Sequence, residues 1–156
     1  MISRQKLIAG RQIYERQTKN MEARRPSYSS ESSYWEEEEW MLTTFSTKFQ
    51  QDGLIGNKED FELIVAWNSS KLWGSCSNNN AGRIATATQA AFHQKNSPKE
   101  KLEQLRGLTG VKTPTASTIL MFCFPTDYPA MSKWSLLTLA VENMWPGFPE
   151  PKADLY

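Results

Sequence analysis

Apolar residues recur along this chain at three- and four-residue intervals, and polar residues fill the gaps. Trp35, Leu42, Phe45 and Phe49 make one such stripe, opened by Ser33 and Glu36 in capping-box positions and closed by Gly53. Asn57 is placed to cap a second helix carrying Phe61, Ile64, Val65 and Trp67. The polar stretch 69–80, S-S-K-L-W-G-S-C-S-N-N-N, reads as a loop, and a helix of small residues is predicted from about Ala81 to His93. Ser97-Pro98-Lys99-Glu100 is another capping box, with Pro98 at the first helical position. It opens a helix with Leu102 and Leu105 that stops at Gly107, and these two leucines are expected to be buried with Ile119 and Leu120. No segment alternates with period two over a useful length, and no internal repeat is present. The expected fold class is all-α, a compact helical bundle.

The punctuation between 107 and 116 narrows the picture. Leu108-Thr109-Gly110-Val111 forms a short turn, after which Thr113 is expected to cap a helix with Pro114 at its first position. Two helices joined this way make a helix–hairpin–helix over 98–124. Its glycine lets the backbone come close to a partner, and the second helix offers unpaired N–H groups at the positive end of a dipole. Such a tip suits an anion, and Lys112 adds a cation to it. The same spacing also describes an ordinary helical hairpin.

Composition sets outer limits. The 156 residues, 17.9 kDa, are 39% hydrophobic and 22% charged, a balance that suits one folded domain. No apolar run approaches the roughly 20 residues of a membrane span, and the N-terminus lacks the apolar region of a secretory signal. Cys76 and Cys123 are far apart, with Cys123 in apolar M-F-C-F, and His93 is the single histidine. A zinc site is therefore not expected, and an intracellular, reducing location is. The net charge of +1 conceals a polarised N-terminus. Arg4, Lys6, Arg11, Arg16, Lys19, Arg24 and Arg25 stand against Glu15 and Glu22 in the first 25 residues, a local net of +5. Glu31 and Glu36 to Glu39 follow. Residues 1–30 are accordingly set apart as a basic segment from a helical domain over 31–156. That arm suits phosphates, and equally suits the Glu run of its own chain.

From about Leu63 to Leu139 the chain resembles the helix–hairpin–helix superfamily of DNA glycosylases. The resemblance lies in L-x-x-L-x-x-L-x-G-V (Leu102 to Val111), P-T-A-S-T-I-L (Pro114 to Leu120) and F-P-T-D-Y-P (Phe124 to Pro129). It implies a backbone grip on DNA, expected to be double-stranded, by Leu108, Thr109, Gly110, Val111, Lys112, Thr113 and Thr115. It implies no organic cofactor, though it allows a monovalent cation at the hairpin.

Departures from the pattern bear on chemistry. The family's catalytic aspartate corresponds to Ser132, which is able to cap the following helix but not to oppose a cationic sugar. Pro114 stands where bifunctional members have a Schiff-base lysine, and Lys112 replaces a second hairpin glycine. Asp127 is first of all a turn residue and Glu142 a surface one. Trp73 and Trp134 are candidate walls for an extruded base. Three readings remain open from sequence: a DNA-binding protein of this fold that has lost the catalytic carboxylate, an active glycosylase with a non-standard site, and a helical interaction module without DNA.

Overall fold

The computed structural model describes residues 34–69 and 72–131, with no account of the side chains of Tyr34, Trp35 and Trp73. The basic segment, Ser33 and its capping box, Ser132, Trp134 and Glu142 lie outside the described residues. The described residues are helical and contain no strand. In order the helices are α1 (Tyr34–Asp52), α2 (Lys58–Asn68), α3 (Trp73–Cys76), α4 (Ala81–Phe92), α5 (Pro98–Arg106) and α6 (Thr113–Cys123). The chain divides into two compact units, Met1–Phe45 and Ser46–Tyr156, at a point within α1.

In the first unit, Met41 and Phe45 are buried, while Trp40 is 51% exposed and meets the Phe45 ring edge-on at 5.7 Å. The Thr43 hydroxyl donates back to the Glu39 carbonyl at 2.9 Å, the usual way a helix absorbs a threonine.

The second unit is organised around α6. Its residues Thr115 to Leu120, Phe122 and Cys123 are all buried, so the helix is covered on every side. α2 and α5 pack against α6, and α4 packs against α5. Trp67 of α2 meets Phe122 edge-to-face at 4.9 Å. A helix this enclosed must satisfy its polar side chains internally. Asn68 does so for two of them: its Nδ2 donates to Thr115 Oγ1 at 3.2 Å, and its Oδ1 accepts from Thr118 Oγ1 at 3.1 Å. Ser117 Oγ donates to the Pro114 carbonyl and accepts from the Met131 N–H, each at 2.8 Å.

Caps follow the sequence closely. Asn57 Oδ1 accepts from the Glu59 N–H at 2.7 Å, and Gly53 ends α1 with φ +69°. Ser97 and Glu100 complete a reciprocal box at the start of α5. Those bonds from the Ser97 hydroxyl and N–H hold the Glu100 carboxyl below its ordinary range.

Two expectations need correction. The stretch 69–80 is not wholly loop, because it contains α3, whose Cys76 is fully buried. Leu102 is only half-buried; the inward line of α5 runs through Lys101 and Leu105, four apart, and continues to Leu108 in the turn that follows. Lys101 is 6% exposed. Its Nζ donates to the carbonyls of Ala91 at 3.0 Å and His93 at 2.8 Å, closing the C-terminus of α4 where the dipole favours a cation. Periodicity of apolar residues alone does not reveal a lysine that faces inward to reach a neighbouring helix end.

Leu105→Ala is expected to destabilise the protein by about 2–5 kcal/mol in denaturant unfolding. A loss well below 1 kcal/mol would contradict its full burial. Lys101→Met removes two hydrogen bonds from a charged donor, about 1.5–3 kcal/mol each. Burial lowers the Lys101 pKa below the ordinary lysine value. The unfolded chain therefore holds that proton more tightly, and stability rises as pH climbs through the folded-state pKa towards the unfolded one. The neutral amine still has two hydrogens for the two carbonyls. The stability gap between wild type and Lys101→Met should widen over that alkaline interval; a gap that narrows there would refute the assignment.

Candidate nucleic-acid interface

The hairpin is built from α5, the turn after it, and α6. Gly107 follows α5 with helical backbone angles, and its N–H bonds the Gln104 carbonyl at 3.2 Å. The Val111 N–H then bonds the Leu108 carbonyl at 3.2 Å, closing a β-turn over 108–111 with Gly110 as its third residue at φ +78°. A positive φ at that place is the requirement of a type II turn, and glycine meets it without strain.

Gly110 is required for a second reason. A Cβ on it would stand 2.6 Å from Ser75 Oγ, 3.0 Å from Cys76 Sγ and 3.1 Å from the Cys76 backbone nitrogen. The turn therefore lies flat on α3, and the close approach permitted by the glycine is to the protein's own chain.

Asn79 locks this contact. Its amide is fully buried and uses its acceptor and both its donors. Oδ1 accepts from the Thr109 N–H at 2.9 Å, while Nδ2 donates to the carbonyls of Thr109 at 2.9 Å and Cys76 at 2.8 Å. The side chain thus pairs with Thr109 as a strand would, and ties α3 to the turn. From α4, the Arg83 guanidinium reaches Thr109 Oγ1 at 3.4 Å and the Gly107 carbonyl at 3.3 Å. Arg83 is placed by the first turn of α4, whose cap is Asn80, with Oδ1 accepting from the Arg83 N–H at 2.8 Å. Neither Asn79 nor Arg83 stands out as a hairpin residue in the sequence. Three consecutive asparagines look like solvated loop, and no local pattern tells the buried one from the cap.

The start of α6 differs from expectation by one residue. Thr113 is its first helical residue rather than its cap, Pro114 is second, and Lys112 occupies the cap position with no side-chain bond to the helix. The first intrahelical bond runs from the Ala116 N–H to the Lys112 carbonyl at 2.9 Å. Proline has no N–H, so Thr113 and Thr115 carry the two first-turn amides that lack an intrahelical acceptor.

The expected contact residues fall into two groups. Thr109 and Lys112 are exposed, and Gly110 and Thr113 are half-buried. Leu108 and Val111 point into the core at 4% and 5% exposure, and the Thr115 side chain is enclosed with Asn68. Lys112 and the exposed Arg83 and Arg106 give the hairpin tip a cationic surround. Asp127 is a turn residue as expected, with its N–H bonded to the Phe124 carbonyl at 3.0 Å. Of Trp73 only the backbone, at the start of α3, is described.

A monovalent cation at this hairpin would need turn carbonyls as ligands. Those of Gly107, Leu108 and Thr109 already accept from Arg83, Val111 and Asn79, and one of these donors is itself a cation. Among the described residues no cluster of three or more His, Cys, Asp or Glu side chains is placed to hold a metal, and no helix is long and apolar enough to cross a membrane. No family model, curated protein or solved structure matches the chain.

The two positive-φ glycines among the described residues, Gly53 and Gly110, provide a paired test. Gly53→Ala meets nothing within 4 Å and should cost only the left-handed backbone strain, about 1–2 kcal/mol. Gly110→Ala should add overpacking against α3, about 1–3 kcal/mol more. Equal losses for the two variants in urea unfolding would show that the turn does not rest on α3.

Proposed function

We propose that the chain binds duplex DNA by its sugar-phosphate backbone, in the manner of the helix–hairpin–helix proteins that it resembles in sequence. The single observation that carries this is the start of α6. It lacks a side-chain cap, follows a turn fixed from inside by Asn79 and Gly110, and lies beside exposed Lys112. An anion placed there meets the Thr113 amide, the positive end of a helix dipole and one ammonium. A phosphate fits that set better than a carboxylate side chain of another protein does, because a tetrahedral anion can accept from several directions at once.

Residue roles follow from burial. Gly110, Lys112 and Thr113 form the contact, while Thr115 is enclosed. Leu108 and Val111 anchor the turn in the core. None of these contacts reaches a base edge, so binding is independent of sequence. Base removal is not part of the proposal.

Lys112→Glu should weaken binding to unrelated duplexes by a similar factor, and lower the slope of log affinity against log salt by about 0.9. Electrophoretic mobility at two salt concentrations measures both. Unchanged affinity for every duplex would remove the hairpin from the interface.

A further inference from the structure

Beside the hairpin, α4 and α5 enclose an open groove of about 540 Å³, and nothing described so far gives it a role. From α4 it is lined by the small residues Gly82, Ala87 and Ala90. The polar residues Asn80, Thr86 and Gln104 also line it, together with Gly107 and Leu108 next to the hairpin turn. Among the described residues Arg83 is the single charged one lining it, and no carboxylate does. With an arginine and no carboxylate, this lining favours an anion over a cation.

We propose that this groove is a second backbone subsite for the same DNA strand, with Arg83 as its phosphate ligand, one step along from the phosphate held at α6. This rests on the DNA-binding proposal above and assigns the strand a path across the protein. Three features support it. The groove and the hairpin share Gly107 and Leu108, so a strand leaving the turn enters the groove directly. The two Arg83 bonds, 3.3 and 3.4 Å, lie at the long end of the hydrogen-bond range and engage two of the five N–H donors of a guanidinium. The fork therefore has donors for an arriving phosphate while it still braces the turn. The volume of about 540 Å³ exceeds that of a phosphate group alone.

The test uses the full-length chain and a fluorescently labelled duplex of arbitrary sequence. Gln104→Glu places a carboxylate on the groove wall with little change of shape, and Gln104 is exposed. Gln89→Glu, also exposed on α4 but outside the groove, makes the same change in net charge. Gln104→Glu should weaken binding about fivefold, the size of an ordinary surface charge interaction, and Gln89→Glu should leave it unaltered. Arg83→Gln should lower the salt slope by about 0.9, one phosphate contact, additively with Lys112→Glu. A loosened turn without a lost phosphate contact would weaken binding at an unchanged slope. The subsite is refuted, with hairpin binding intact, if Lys112→Glu acts as stated but Gln104→Glu matches Gln89→Glu or Arg83→Gln keeps the wild-type slope. If Lys112→Glu leaves affinity untouched, the DNA-binding proposal fails and the subsite with it.

Discussion

The hairpin depends on one buried primary amide. Asn79 offers two donors and an acceptor, and all are matched by backbone groups of Cys76 and Thr109. Removing it would leave the part-buried carbonyl and N–H of Thr109 without these partners, at a cost of up to about 1–3 kcal/mol each. The other contacts at the turn presuppose this one. Gly110 lies flat on α3 because Asn79 draws Thr109 down, and Arg83 spans Gly107 and Thr109 because both are held in place. A loop-like stretch rich in Ser and Asn thus acts as a fixed support for the exposed face of the protein.

That explains which parts of the fold were legible in the sequence. Helix ends were, because caps are local: Asn57, Ser97 with Glu100, and Gly53 act within four residues of themselves. The position of the hairpin was also legible, since a glycine turn followed by proline constrains the backbone wherever it occurs. The inward line of α5 was not, because Lys101 faces the core to reach carbonyls of another helix. Asn79 and Arg83 were missed for the same reason: their partners lie 24 to 30 residues away in the chain. Local chemistry can be read from neighbours in sequence; long-range polar bonds require the fold.

The candidate site was legible in outline and altered in detail. Sequence placed the contact residues in one stretch, but burial divides them into an exposed part and an anchoring part. Thr113 gave way to Lys112 at the helix start, and the helix consequently begins without a side chain over its first amides. Where a hydroxyl or carboxylate would normally lie over the first turn, the half-buried Thr113 amide is left for a ligand or solvent.

The support beneath the turn has a consequence for its motions. Thr109 is exposed, yet its amide hydrogen is directed inward at a fully buried acceptor. Its exchange with solvent must await a partial opening that separates the turn from α3, so it should resemble a helix interior rather than a surface loop in hydrogen exchange. A tip held this way has little internal freedom left to lose when a ligand arrives. Association would then carry only a small ordering penalty at the contact itself, and affinity at this face would be governed by charge and ion release rather than by induced folding.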